Sequence, residues 1–156
     1  MKHLDFMKEA IKLSDENMTK NAGGPFGCVI VKKWKIVWKW RNKVTSSNDP
    51  TAHAEMVAIR DACQNLNSFQ LDDCEIYTSC EPCPMCLGAI YWARPKKVYY
   101  ANTKLDAKKI WFDDQFIYEE LGKKLDERKL PIEQIWRDEA IKVFQKWEKK
   151  QDKIEY

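Results

Sequence analysis

Four residues in two short motifs have the types and spacing of a metal-assisted hydrolytic site. His53 and Glu55 stand two positions apart, and Cys83 and Cys86 follow about thirty residues later. One imidazole nitrogen and two thiolates give a tetrahedral zinc ion three protein ligands, and catalytic zinc sites keep the fourth position open for water. Zinc lowers the pKa of that water to about 7, and Glu55 is placed to take up its proton and return it.

Each half of the pattern has a more ordinary interpretation when taken alone. A lone histidine is most often a hydrogen-bonded core residue, and a lone Cys-x-x-Cys can be a redox pair or half of a structural zinc site. The joint pattern is more specific, because Pro82 and Pro84 place Cys83 and Cys86 at a helix start, where thiolates are favoured. The combination is also the signature of zinc nucleobase deaminases.

Three of the other four cysteines are expected to have structural roles. Cys28, Cys63 and Cys74 lie in apolar segments and are interpreted as small core residues. Cys80 could be a fourth zinc ligand that closes the site, although it lies on the strand side of the turn. Because the first residues lack the apolar segment of a secretory signal, we expect a cytoplasmic protein with reduced thiols.

Length and composition predict one globular domain over residues 1–156. Of the 156 residues, 44% are hydrophobic and 33% are charged, and the apolar runs are too short to cross a bilayer. The net charge of +3 is carried mostly by Lys, whereas nucleic-acid surfaces favour Arg. Composition therefore argues against nucleic acid and membranes as partners.

Hydrophobic periodicity predicts the elements that must position the motifs. We expect helices over 4–21, 52–65, from Pro84 onward and over 138–150, and strands over 26–31, 34–41, 74–79, 98–101 and 131–136. His53 and Glu55 would lie in the first turn of the second helix, capped by Asp49 or Thr51, after a loop over 42–50. This order predicts an α/β protein whose mixed five-stranded sheet has helices on both faces, since parallel neighbours need crossover helices.

The predicted hairpin breaks one local rule. Its connection, residues 32–35, has no Gly, Asn or Asp to adopt the positive φ of a tight turn, so the turn should be longer or strained. Trp34, Trp38 and Trp40 alternate along the second strand. Such a stripe is more often core or a dimer contact than a stacking platform.

The chain also resembles a known family, the cytidine deaminase superfamily and, within it, the bacterial guanine deaminases. The zinc motifs are common to the superfamily, whereas the matching stretches after Arg94 are specific to that branch. The stretches that carry the resemblance are 24–27, 41–42, 44–45, 48–55, 78–95, 112–114, 116–118 and 155–156. The chain departs from the family pattern in the hairpin, where smaller residues or Gly are expected at the positions of Trp34, Trp38 and Trp40.

The resemblance implies a three-layer α/β/α fold, a homodimer, and hydrolytic conversion of guanine, a small purine base, to xanthine and ammonia. It implies one Zn²⁺ per subunit, with Glu55 as the proton shuttle. The ligands would be His53, Cys83 and Cys86, and the substrate would contact Phe26, Asn42, Ala54, Trp92, Asp114 and Tyr156. The resemblance also implies that a C-terminal segment, about 131–156 and ending at Tyr156, covers an active site, either its own or, through exchange between subunits, that of the partner subunit.

The proposed base specificity follows from hydrogen-bond chemistry. Guanine presents N1–H and its amino group as donors, whereas adenine presents N1 as an acceptor, so a buried Asp114 carboxylate would favour guanine. Three alternatives stay open: a tRNA adenosine deaminase, a deaminase of guanosine or another nucleoside, and a zinc-stapled binding module without catalysis. The last would leave Glu55 without a purpose.

Overall fold

The computed structural model describes residues 2–156 and builds them from alternating helices and strands. Contacts divide the chain into two units, one up to Gln115 and one over Phe116–Tyr156. The elements are α1 (His3–Thr19), β1 (Gly27–Lys32), β2 (Lys35–Arg41), α2 (Val44–Ser47), α3 (Ala54–Leu66), β3 (Cys74–Cys80), α4 (Pro84–Ala93), β4 (Lys97–Asn102), α5 (Lys104–Lys109), α6 (Gln115–Leu121) and α7 (Arg137–Lys149). Within residues 2–156, no helix has the length and apolar character needed to span a bilayer.

The sheet is mixed, as predicted, but in residues 2–156 it has four strands rather than five. Its order is β2-β1-β3-β4, with β1 antiparallel to both neighbours and β3 parallel to β4 across the α4 crossover. The predicted strand over 131–136 is wrong, since these residues are irregular and exposed. Its apolar Ile132 and Ile135 are three positions apart, which does not match the period of two that places side chains on one face of a strand.

The two faces of the sheet bury different helices. Alternate strand residues such as Val29, Val31 and Tyr77 pack against Phe6 and Ala10 of α1. The opposite set packs against α3 and α4 and forms the larger core cluster: Cys28, Ile30, Cys74 and Ile76 with Ala54, Ala58, Ile59, Ala62, Ile90 and Ala93. The three-layer arrangement follows from this alternation, because period-two strands bury both faces only when helices cover each.

One glycine allows α1 to approach the sheet closely. A Cβ atom at Gly27 would overlap the carbonyl oxygen of Ala10 and crowd the Leu13 side chain. The first residue of β1 is therefore in backbone contact with α1, and only glycine fits there.

The hairpin between β1 and β2 has the strained turn that the sequence predicts. Lys33 and Trp34 form its two-residue connection, with φ of 50° and 62°. Left-handed backbone is unfavourable for both side chains, most of all for a bulky one. The Trp34 ring lies near His3, with ring centroids 5.0 Å apart, and Trp38 and Trp40 pack against the main core cluster, so the stripe is largely structural.

The segment before α3 differs from its prediction in two ways. The expected loop over 42–50 contains a single helical turn, α2. Neither Asp49 nor Thr51 caps α3, because Asp49 Oδ1 accepts hydrogen bonds from the Thr51 N–H and hydroxyl, at 2.8 and 2.7 Å. This local turn precedes the helix, which therefore starts later than predicted, with His53 at the N-cap position in extended backbone.

The second unit, Phe116–Tyr156, contains most of α6 and all of α7. The predicted helix over 138–150 is confirmed as α7, and its apolar residues are exposed in the single chain. Phe144 is 73% exposed and Val143 is 62% exposed. Periodicity identifies the apolar side of a helix without identifying what covers that side.

The strained turn predicts a stabilising substitution. Lys33→Asn should raise the free energy of unfolding by about 0.5–1 kcal/mol, because asparagine tolerates left-handed backbone better than lysine. Lys33 is exposed, so little packing is lost. The measurement is urea denaturation, with Lys35→Asn in extended β2 as the control that should not stabilise. Equal effects of the two substitutions would contradict a strained turn.

Candidate metal centre

The N-terminal ends of α3 and α4 meet on one side of the sheet. His53 is the N-cap of α3 and Cys83 is the N-cap of α4, each with extended backbone and neither with a side-chain cap hydrogen bond. N-cap positions usually hold Ser, Thr, Asp or Asn, whose side chains bind free helix N–H groups. Here the side chains of His53 and Cys83 instead turn toward each other. The order Pro82-Cys83-Pro84 sets this geometry, since proline suits the first helical position.

The ligating atoms of His53, Cys83 and Cys86 form a single cluster. His53 Nδ1 lies 3.5 Å from both the Cys83 and Cys86 Sγ atoms, and the three atoms lie within 4.8 Å of one another. Tetrahedral zinc, with Zn–S near 2.3 Å and Zn–N near 2.0–2.1 Å, requires nitrogen and sulfur to be about 3.6 Å apart. Both the donor types and the spacing therefore fit zinc.

Cys80 does not belong to this cluster. Its thiol faces the carbonyl oxygen of Thr103 at 3.7 Å, and burial raises its pKa to about 11. All six cysteines are free thiols in the described chain, and Cys28 and Cys74 are buried core residues as expected. Within residues 2–156, the group that could hold a metal ion is thus one nitrogen and two sulfurs, one ligand fewer than a closed tetrahedral site has.

The side chains of His53, Cys83 and Cys86 affect one another's protonation. The hydrogen bond from Cys86 lowers the pKa of Cys83 to about 4, whereas the same bond raises the pKa of Cys86. The hydrogen bond with Cys83 also raises the pKa of His53. Because zinc binds thiolate and neutral imidazole, zinc binding releases such protons, and the free N–H groups of two helix starts favour the resulting negative charge.

Glu55 lies beside the cluster and is buried. Its Oε1 accepts a hydrogen bond from the Thr78 hydroxyl at 2.9 Å, and its Oε2 lies 3.6 Å from the Cys86 sulfur. Burial raises the pKa of Glu55, while hydrogen bonds from its own backbone and from Thr78 act in the opposite direction. A carboxyl group with a raised pKa next to a metal is suited to general acid and base work near neutral pH.

The structure places some of the predicted substrate residues near this centre. Asp114, at the start of α6, is partly buried, and its charge acts on both His53 and Cys80. Burial raises the pKa of Asp114. Asn42 is buried at the end of β2, where its N–H donates to the Phe26 carbonyl at 3.0 Å.

Other predicted substrate residues are further along the same elements or outside the first unit. The Phe26 ring meets the Phe112 ring edge to face, with centroids 4.9 Å apart. Ala54 is buried in the first turn of α3, and Trp92 is 63% exposed near the end of α4. Tyr156 belongs to the second unit and is exposed.

Two polar residues at the site escaped the sequence analysis. Asn17, fully buried on α1, donates from Nδ2 to the Gly24 carbonyl at 2.8 Å and to the Asn42 carbonyl at 2.9 Å. The Thr78 hydroxyl donates a hydrogen bond to Glu55 Oε1. Each polar side chain interrupts a series of apolar residues on one face of its helix or strand. That interruption is the signal that could have revealed both residues.

Comparison with known proteins agrees with this centre. Residues 1–102 match the family model of the cytidine and deoxycytidylate deaminase zinc-binding region. The chain is 54% identical, over the full length of both chains, to the guanine deaminase of Bacillus subtilis (strain 168). It is 42% identical, over 66% of each chain, to the tRNA-specific adenosine deaminase of Aquifex aeolicus (strain VF5).

Comparison with solved structures extends the likeness to the whole fold. The X-ray structure of Bacillus subtilis guanine deaminase matches with a TM-score of 0.97, covering 100% of this chain and 99% of that one. The fold is therefore the α/β cytidine deaminase fold, with the four-stranded sheet described above. A histidine, two cysteines and a buried glutamate at two converging helix starts identify this chain as a member of the cytidine and deoxycytidylate deaminase zinc-binding family.

Proposed function

We propose that this protein is a zinc-dependent hydrolase that converts guanine to xanthine and ammonia. The observation that carries the proposal is the His53, Cys83 and Cys86 cluster with buried Glu55 beside it. Full-length identity of 54% to a guanine deaminase supports guanine as the substrate. The tRNA-specific adenosine deaminase of Aquifex aeolicus is less similar, at 42% identity, which favours a free base over an RNA substrate.

In this proposal His53 Nδ1 and the thiolates of Cys83 and Cys86 hold one zinc ion per subunit. Bound zinc supplies a polarised water with a pKa of about 7 at its open position. Glu55 moves two protons during the reaction, and the side chains around it bind and orient the base. The buried location excludes bulk water from the carboxylate, so the protons pass between defined partners.

The atoms of the reaction balance with Glu55 as the only proton carrier. The oxygen of water bonds to C2 of guanine while Glu55 transfers one water proton to N3. Glu55 then transfers the second water proton to the amino group on C2, the C2–N bond breaks, and ammonia leaves. The product retains oxygen at C2 and a proton at N3, which is xanthine. The same type of attack occurs at cytosine C4 and adenine C6 in zinc deaminases.

Base recognition is assigned to the residues around this carboxylate. Asp114 accepts hydrogen bonds from the N1–H and amino group of guanine, and adenine would leave that acceptor unpaired. Asn42 donates a hydrogen bond to the base from its side-chain N–H group, because its Oδ1 already accepts a hydrogen bond from the Val44 N–H at 3.2 Å. Phe26 and Trp92 form aromatic walls around the base, and the Ala54 backbone contacts its edge.

We also propose that residues 1–156 act as one deaminase domain in a cytoplasmic homodimer. Helix α4 is apolar on all sides, its Tyr91 is 75% exposed, and Gly88 has open space around it. A helix that is apolar all round is normally buried, so a second copy of the chain is the fitting cover. Six free thiols suit a reducing compartment.

The C-terminal segment, about 131–156, is proposed to be exchanged within this dimer. Helix α7 has an apolar stripe whose members, including Val143, Phe144 and Trp147, are exposed in the single chain. An isolated helix of 13 residues is marginal in water, so its stripe needs a packing partner. Exchange would place Tyr156 over the active site of the partner subunit.

The ligand assignment predicts how zinc affinity depends on single thiols. Cys86→Ser should weaken zinc binding by at least about 100-fold, because the loss of an outer-shell partner alone costs 10–100-fold. Cys80→Ser is the matched control and should keep its zinc, since Cys80 lies outside the ligand cluster. Zinc content is measured after dialysis against a chelator of known affinity. Equal zinc loss from the two variants would contradict an open three-ligand site.

Base selectivity predicts a difference between two neighbouring carboxylates. Asp114→Asn should lower kcat/KM for guanine roughly 10- to 100-fold, the effect of losing a charge-assisted hydrogen bond. Asp113→Asn should stay within about twofold, because the surface pair of exposed Asp113 with Lys108, at 3.8 Å, contributes little, and an asparagine oxygen can still accept the Gln115 N–H that Asp113 Oδ1 accepts at 3.0 Å. Steady-state ammonia release measures both. Unchanged turnover by Asp114→Asn would remove this residue from recognition.

Segment exchange predicts complementation between two damaged chains. Glu55→Gln lacks the proton carrier and Tyr156→Ala lacks the tail residue, so each homodimer should be inactive or weak. Co-expression should restore roughly a quarter of wild-type activity, because half of random dimers are mixed and each has one complete site. Activity at or below the average of the two parents would show that Tyr156 serves its own subunit.

A further inference from the structure

We propose that Thr78 is a positioning residue that holds one oxygen of the Glu55 carboxylate, so that the other oxygen faces the metal centre and carries the protons. The Thr78 hydroxyl donates to Glu55 Oε1 at 2.9 Å, and the two residues are only 1% and 6% exposed. This inference rests on the proposed deaminase function and adds a residue that acts through Glu55.

Thr78 lies on the face of the sheet that packs against α3. Along β3 its neighbours on that face are Ile76 and Cys80, and its register partner on β1 is Cys28. Ile76 and Cys28 belong to the apolar cluster around α3. Valine has the shape of threonine and would suit this apolar face, so a hydroxyl here needs a specific partner, which is Glu55.

The two oxygens of Glu55 have different surroundings. Oε1 is held by β3 through Thr78, whereas Oε2 lies 3.6 Å from the sulfur of the proposed ligand Cys86. Rotating the carboxylate away would leave a buried oxygen without its hydroxyl donor, which is unfavourable. The carboxylate is thereby fixed with Oε2 toward the metal centre, and Oε2 takes and returns the protons of the reaction.

The opposite face of the same strand provides a matched control. Ser79 is also a buried hydroxyl, but it accepts a hydrogen bond from the Gly27 N–H at 3.0 Å. Removing the Ser79 hydroxyl therefore tests the general cost of losing a buried hydrogen bond in β3. Removing the Thr78 hydroxyl tests the orientation of Glu55.

The experiment compares Thr78→Val, Thr78→Ser and Ser79→Ala with the wild type, using guanine as the substrate. Thr78→Val should lower kcat roughly 10- to 100-fold, since a small misplacement of a catalytic group has effects of this size. Its KM and zinc content should stay within about twofold, because zinc ligands and base contacts are untouched. Thr78→Ser should recover most of kcat, and Ser79→Ala should keep it. A crystal structure of Thr78→Val should show the Glu55 carboxylate rotated.

Three results would overturn the inference. The first is an unchanged kcat in Thr78→Val, and the second is a Thr78→Ser variant as slow as Thr78→Val, which would indicate a packing role. The third is a loss of zinc that parallels the loss of kcat. A wild type that releases no ammonia from guanine would instead refute the proposed function, and the Glu55 carboxylate orientation in the Thr78→Val crystal would still test Thr78.

Discussion

The convergence of two helix starts on one point is the constraint on which the rest of the structure depends. His53 and Cys83 are the N-caps of α3 and α4, and His53 Nδ1 lies 3.5 Å from both proposed thiolate ligands. Two positive helix ends directed at one place favour negative charge, from thiolates and from Glu55 alike. The two helix starts are far apart in the chain, since α3, β3 and their connections lie between them. Only tertiary packing can therefore bring them together.

The sheet supplies that packing. β1 and β3 pair at the centre, α3 and α4 share one face, and α1 covers the other. Gly27 allows α1 to lie against β1, and Asn17 of α1 holds the carbonyl oxygens of Gly24 and Asn42. The helix on the far side of the sheet thus also fixes the loop next to the site. Stability and site geometry depend on the same buried contacts.

Local chemistry explains what could be predicted from the sequence. The two zinc motifs, the Pro84 helix start and the strained Lys33-Trp34 turn depend on neighbouring residues, and each is present as predicted. The N-cap at His53 was not predicted, because Asp49 and Thr51 satisfy each other instead of α3. Thr78 was missed because its partner Glu55 is 23 residues away in the chain. The strand predicted over 131–136 was wrong because its two isoleucines are three positions apart, and the exposure of the apolar side of α7 was not predictable because periodicity does not show what covers a helix.

The central claim is that this site deaminates free guanine with the help of zinc. The most direct test is ammonia release from guanine, guanosine, adenine, cytosine and cytidine by one preparation, before and after removal and return of zinc. We expect guanine to react far faster than the other four, with activity lost on chelation and restored by zinc. Equal or faster release from guanosine or adenine, or guanine turnover that survives complete zinc removal, would contradict the account.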